Sequence, residues 1–290
     1  MVFKNEIKLA FKAFTYYRQG WLYLWIRLFI VPLIMRLTIE RDVTRTDLSV
    51  HMLFGSRDFM IALWSLASFY KVSTVRGQLF LHNDGSLTSA EISTLQRLFP
   101  HAQIIKKEDV VDRAATVFAD YQRIHDFFAT NMWQARKLLD PYLASNANTL
   151  LLLDSDVLWF KEPTFFNTAN NIMMSNGESC PMPFLDGTAL APPLSELNSG
   201  IVYFRKNSFN LTKLEEYLVR TGSRRHHFLE QAGYAYSLEA VTVLPQQDYS
   251  IKGRNEDAVV ARHYTGPSRV KFFTRGIPYL LAHSLSYVRN

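Results

Sequence analysis

Cys180 is the only cysteine among 290 residues. A single thiol excludes an intrachain disulfide and a cysteine-rich zinc site, suits a reducing compartment such as the cytoplasm, and leaves Cys180 as a small packing residue. An uninterrupted apolar run of about 20 residues, the length a membrane span needs, is also missing. The densest stretch, Trp21 to Leu37, has Arg27 inside it and is interrupted by Pro32. No small-residue cleavage site follows it, so it does not read as a secretory leader either. Internal repeats and low-complexity segments are absent. With 48% hydrophobic and 20% charged residues, the composition is that of a folded protein with room for one sizeable core.

The aromatic content is generous at 14%, and the net charge is +6. An excess of cations calls for an anionic partner: a nucleotide diphosphate, an acidic lipid surface or a nucleic acid. Charge alone does not choose among them. Residues 1–47 stand apart, because Lys4, Lys8, Lys12, Arg18, Arg27 and Arg36 punctuate a run rich in Phe, Tyr, Trp, Leu and Ile. Such spacing suits a helix lying in the headgroup plane of an anionic membrane, at its inner face for a cytoplasmic protein. It equally suits a helical arm packed on its own domain.

From residue 48 to 290 the texture is that of one α/β domain. Apolar runs at Ser49 to Phe54, Gln78 to His82, Gln103 to Ile105, Thr149 to Leu153 and Gly200 to Arg205 read as strands. Helical patterns fall at Phe59 to Tyr70, from a cap at Thr88 or Ser89 to Phe99, and around Leu211 to Arg220. A long helical region is expected from Asp112 to Asp140, closed by Pro141. Repeated strand, loop and helix imply a mostly parallel sheet.

The chemistry concentrates in LLLDSDVLWF, where a fully apolar strand runs into Asp154 and Asp156. A spacing of two sets both carboxylates on one side of an extended backbone. Two such groups repel unless a cation sits between them, and oxygen ligands with open positions suit Mg²⁺ or Mn²⁺ bound to phosphates. The alternative is a solvated Asp-Ser-Asp turn. Placement favours the metal, because ligands of open α/β sheets bind just outside the carboxyl ends of the strands.

LLLDSDVLWF resembles the DxD segment of the GT-A glycosyltransferases, and two further segments are similar in the same order: LNSGIVYF at Leu197 to Phe204 and HYTGPSR at His263 to Arg269. The resemblance is to the glycogenin-like and bacterial galactosyltransferase-like retaining enzymes, over roughly residues 48–275. It implies a GT-A, Rossmann-like fold, here preceded by the N-terminal helical arm, and a transfer from a nucleoside diphosphate sugar, a UDP-sugar in that family, to an acceptor hydroxyl of a glycan or glycolipid. It further implies Mn²⁺ or Mg²⁺ held by Asp154, Asp156 and His263, with Gly266, Arg269 and Lys271 at the diphosphate. Arg269 stands where that family has Lys. Glu230 and Gln231, in FLEQAGYAYSL, resemble the Asp-Gln pair that faces the reacting sugar, with Glu in place of Asp; both equally fit a polar first helical turn. Asn198 is expected to contact donor sugar or acceptor, or else to be a turn residue before its strand. Asp186, in PFLDGT, is a candidate for a sugar hydroxyl. Ser56, Arg57 and Asp58, at the end of the first strand, lie where base or ribose would sit in this fold; Arg57 equally suits a surface charge at a helix start.

Two rivals differ in what they require. A sugar nucleotidyltransferase needs an early Gly-rich phosphate loop followed by Arg and Lys, which the sequence lacks. A non-catalytic membrane-surface or nucleic-acid binding protein would use residues 1–47 and leave the aspartates incidental. On the transferase reading no nucleic-acid partner is expected. Retention implies front-face substitution, whereas inversion needs a carboxylate base, for which Glu230 and Asp248 qualify.

Overall fold

Thr149–Leu153 is buried throughout, and in the computed structural model it is a central strand. The structure describes residues 2–36, 39, 42–253 and 255–283, with the backbone alone for residues 2–5 and 267. Residues 284–290, expected within the catalytic domain, and positions 37, 38, 40 and 41 of the arm lie outside the described residues.

In chain order the elements are α1 (Val2–Thr15), α2 (Gly20–Trp25), β1 (Leu48–Phe54), α3 (Phe59–Val72), β2 (Gln78–Asn83), α4 (Ser89–Leu98), β3 (Gln103–Ile105), α5 (Val111–Val117), α6 (Gln122–Ala129), α7 (Trp133–Ala144), β4 (Thr149–Leu153), β5 (Val157–Trp159), β6 (Asn171–Ser175), β7 (Leu197–Arg205), α8 (Leu211–Thr221), α9 (Leu229–Ser237), β8 (Val241–Val243), β9 (Tyr249–Ser250), β10 (Ala261–His263), α10 (Arg269–Lys271) and α11 (Ile277–His283). Seven strands form one sheet in the order β3-β2-β1-β4-β7-β6-β8, and β5-β10-β9 form a second, smaller one. Within the large sheet β7 alone runs against its neighbours β4 and β6, so the sheet is mostly parallel as expected. Two apolar cores lie on its two faces, since alternate residues of β4 divide between them: Leu151 and Leu153 in one, Leu150 and Leu152 in the other.

Local chemistry explains most boundaries. Thr88 accepts from Glu91 N–H while the Glu91 carboxylate takes the Thr88 N–H, a reciprocal cap that starts α4. The long helix expected from Asp112 to Asp140 is three helices, with Asn131 at φ 55° just before the last. Pro141 does not close that helix but lies within α7. Its ring removes the N–H that would bond Lys137 C=O; the Tyr234 hydroxyl donates to that carbonyl instead, at 2.8 Å. The strand expected from Gly200 begins at Leu197, because Leu197 and Asn198 pair with Ser175 and Met174. Asn198 is thus a strand residue, not a turn before one.

Residues 2–36 are helical apart from a turn at 16–19, and one side of them belongs to the core. Ala13, Tyr23, Ile26, Val31 and Ile34 are buried, Tyr23 packs edge-on against Phe273, and the indole of Trp64 donates to Val31 C=O at 3.0 Å. Among the described residues no helix is long and apolar enough to cross a membrane. The docked side makes the arm part of the fold, so Ile34→Ala should cost about 2–5 kcal/mol in urea unfolding. An unchanged midpoint would show that the arm is not docked.

Candidate active site

Leu153 is followed by a turn, not by more strand: Val157 N–H donates to Asp154 C=O at 3.3 Å and the chain reverses into β5. Asp154 and Asp156 therefore do not share one side of an extended backbone, as their spacing suggested. The turn converges their carboxylates on a distant imidazole. His263 ends β10, which pairs with β5 so that His263 lies opposite Val157, and Tyr264 N–H donates to Asp156 C=O at 2.9 Å. Backbone pairing thus delivers a residue 107 positions away to the aspartates.

His263 Nε2 stands 2.9 Å from Asp156 Oδ1 and 3.4 Å from Asp154 Oδ2. The other ring nitrogen, Nδ1, is 3.0 Å from Asn198 Oδ1. That oxygen is fixed as an acceptor, since it already takes the Gly200 N–H at 2.8 Å while the Asn198 amide nitrogen donates to Asn176 at 2.8 Å. Nδ1 therefore carries a ring proton toward Asn198, and Nε2 faces the two carboxylates, donating a proton to them in the ion-free chain and free to offer its lone pair to a bound cation. Such a triad is repulsive unless a proton or a cation joins it. Adjacent ligands of an octahedral cation with bonds of about 2.1 Å lie about 3.0 Å apart, which is close to the separations found. One oxygen or nitrogen from each of Asp154, Asp156 and His263 falls within 4.8 Å of the others. Two hard oxygens and one imidazole nitrogen are a donor set that a divalent cation accepts.

Gly200 has to be glycine here. A Cβ on it would sit 2.3 Å from His263 Nδ1 and 2.9 Å from Asn198 Oδ1. Gly266 is different: nothing lies within 4 Å of its would-be Cβ, and its φ of 49° is the reason for glycine.

Cations surround the acidic pair. Arg269, opening α10, donates from Nε to Asp156 Oδ2 at 2.8 Å and from Nη1 to Asp58 Oδ1 at 2.8 Å. Lys137, from α7, reaches Asp154 at 2.6 Å, Glu230 at 3.2 Å and the Ser199 hydroxyl at 2.9 Å. Burial would push the Asp156 carboxyl up, but His263 and Arg269 outweigh it and hold it well below the ordinary range. For Lys137, burial lowers and the Asp154 and Glu230 charges raise; the charges win and the ammonium is held above its usual range.

Lys137 was not among the expected site residues. Its segment, WQARKLLDPYLA, reads as helix with surface charges, yet Arg136, Lys137 and Asp140 are all buried. The one available hint is a helix with cations on its apolar side.

The other expected residues divide. Glu230 and Gln231 occupy the first turn of α9, both buried, with Glu230 Oε1 taking Lys137 and the Ser199 hydroxyl at 2.7 Å. Glu230 Oε2 is buried without a partner. Asp58 joins the centre through Arg269. Arg57 is half-exposed and faces Asp58 at 3.5 Å. Ser56 spends its hydroxyl on Glu91 at 2.6 Å and the Ser86 carbonyl, tying the end of β1 to the α4 cap. Lys271 lies over the Tyr17 ring at 5.7 Å, toward the arm. Asp186 is exposed in its loop, accepting from Thr188 and facing Arg220 at 3.7 Å. Asn198 holds His263 through its amide oxygen.

No family model and no curated protein sequence matches the chain. Solved structures match it in shape. Mouse xyloside xylosyltransferase 1, in its apo form, is similar over 76% of this chain and 98% of its own, with a TM-score of 0.50 at 12% identity. The galactosyltransferase LgtC, in complex with donor and acceptor sugar analogues, is similar over 76% and 87%, with a TM-score of 0.50 at 14% identity. At such identities the likeness is one of fold, and the fold is that of the GT-A glycosyltransferases.

Asp156 is ionised and paired in the folded chain, so its contribution to stability is present above the unfolded carboxylate pKa of about 3.9 and is lost as pH falls through its lower folded value. Arg269→Met should destabilise the metal-free protein near neutral pH. The cost falls toward the lower end of the ~3–5 kcal/mol for stripping one partner from a buried pair, because His263 still faces Asp156. The gap between wild type and variant should begin to narrow below about pH 4 and close only as pH falls through the lower folded value of Asp156. A gap independent of pH would show that Arg269 acts by packing.

Proposed function

We propose that this chain is a metal-dependent glycosyltransferase that moves a sugar from a nucleoside diphosphate sugar, a UDP-sugar on the resemblance of its motifs, to an acceptor hydroxyl of a glycan or glycolipid. The observation that carries it is the meeting of Asp154, Asp156 and His263 beside the carboxyl end of β4, the edge where nucleotides bind in open α/β sheets. The similar structures are a xylosyltransferase and a galactosyltransferase, which supports the reaction class.

Asp154, Asp156 and His263 would hold Mn²⁺ or Mg²⁺, which as a Lewis acid neutralises charge developing on the departing diphosphate. Arg269 and Lys137 flank the carboxylates and add fixed positive charge to the same place, where it stabilises the transition state more than the ground state. Asn198 keeps the imidazole turned toward the ion. Gly266, with open space before it, leaves the backbone free to approach phosphate. Glu230 is buried and ion-paired through Oε1, which suits an anion that positions Lys137 better than a base exchanging protons with an acceptor. That sets Glu230 aside as the base of an inverting reaction, leaving Asp248 as the other candidate, and is consistent with retention, with Gln231 beside Glu230 orienting the sugar.

Asp156→Asn should abolish both Mn²⁺-dependent turnover of UDP-sugars and the rise in melting temperature that Mn²⁺ with UDP gives the wild type. Normal turnover by this variant would remove the metal assignment, and a wild-type chain that hydrolyses or transfers no nucleotide sugar would mark a binding module instead. Lys137→Met should lower kcat by about 10²–10³-fold. A change confined to KM would place Lys137 in ground-state binding only.

A further inference from the structure

Among the described residues, nine of the 15 large apolar side chains that stand exposed fall between Ile7 and Phe29. They form stripes. In α1, Ile7, Phe11 and Phe14 follow helical spacing on the side away from buried Ala13. In the next helical stretch Trp21, Trp25, Leu28 and Phe29 do the same, opposite buried Tyr23, Ile26, Val31 and Ile34. The stripes join where Phe14 meets Trp21 edge-on at 5.5 Å, an approach that needs Gly20, whose Cβ would strike the Phe14 ring. Trp21 is 80% exposed, and Phe11, Leu28 and Phe29 are each more than 60% exposed. Single exposed apolar residues are ordinary, but a contiguous outer face of this kind marks a contact surface.

Charge selects the occupant. Residues 1–36 carry six basic residues and one acid, Glu6, and Glu6 is already paired with Arg27 at 3.1 Å. Lys8, Lys12, Arg18 and Arg36 are exposed around the apolar face. Trp and Phe bordered by unpaired cations fit the headgroup layer of an anionic bilayer, where rings enter the acyl boundary and ammonium groups meet phosphate. A second copy of the chain would bring the same cations against themselves.

We infer that the outer face of the N-terminal arm, Phe11, Phe14, Trp21, Trp25, Leu28 and Phe29 with Lys8 and Lys12, docks in the plane of an anionic phospholipid surface while the inner face stays packed on the domain. The surface lies outside the acidic centre, and the inference stands whether or not the chain transfers sugar.

The full chain is tested on phosphatidylcholine vesicles with and without phosphatidylglycerol. Binding should be at least ~10-fold stronger to the anionic vesicles. Trp21→Ser/Trp25→Ser/Phe29→Ser should lower it ~10-fold or more, and Lys8→Gln/Lys12→Gln should flatten its dependence on phosphatidylglycerol, with the melting temperature of each variant unchanged. Should the triple variant not fold, quenching of wild-type fluorescence by brominated lipid, reduced in Trp21→Phe and kept in Trp133→Phe, reports the same insertion, because Trp64 and Trp159 are fully buried and Trp133 is the one exposed tryptophan outside the arm among the described residues. Absence of binding to anionic vesicles, or binding indifferent to every one of these substitutions, overturns the inference. A vesicle-free dimer that the triple variant converts to monomer also overturns it, in favour of self-association.

Discussion

Two carboxylates converging at the end of a buried strand are the constraint around which the rest is arranged. At about 4 Å, like charges cost about 4 kcal/mol at the effective dielectric of a protein surface, so the pair persists only if positive charge is supplied from elsewhere. Two stretches far apart in sequence supply it: α7 with Lys137, and the adjoining β10 and α10 with His263 and Arg269. The result is an alternating chain of charge from Arg57 through Asp58, Arg269, Asp156, His263, Asp154 and Lys137 to Glu230. Each member is held by neighbours of opposite sign, or in the case of His263 by a shared proton or ion.

Backbone geometry, more than side-chain reach, sets the precision of this centre. β7 lies antiparallel beside β4, so Asp154 N–H bonds Gly200 C=O at 2.9 Å and Asn198 and Ser199 arrive at the same edge. The small sheet brings His263 opposite Val157, one residue beyond Asp156. Pro141 contributes from inside α7: the carbonyl it leaves free belongs to Lys137 and is taken by Tyr234, one turn along α9 from Glu230. The same hydroxyl thereby fixes the helix that presents the ammonium and the helix that presents its counter-anion.

Much of this was legible in the residues. A five-residue apolar run ending in two aspartates, an Asn-Ser-Gly strand and a late His-x-x-Gly segment are local signals, and the acidic pair, Asn198 and His263 do meet. Boundaries set by pairing or capping between near neighbours were also readable, such as β3 and the start of α4. What could not be read depends on contacts with no sequence signature. Lys137 looks like any helix cation until α9 packs on it, and the break at Asn131 rests on one left-handed residue in an otherwise helical pattern. The turn that breaks the extended run at Asp154 closes against β5, whose partner lies about a hundred residues later.

The arm shows why its two readings were never exclusive. A helix apolar on all sides is ordinarily buried on all sides, but residues 20–34 bury one side only, against Phe273 and Trp64. Phe273 follows Arg269 within one helical segment, and Arg27 and Lys271 add further contacts between arm and segment. The arm therefore braces the element that delivers Arg269 to Asp156. Its inner side packs into the core. Among the described residues its outer side stands exposed, and apolar surface of that extent left in water works against solubility without a compensating contact. The proposed docking on an anionic lipid layer would use that outer side alone and leave the brace undisturbed.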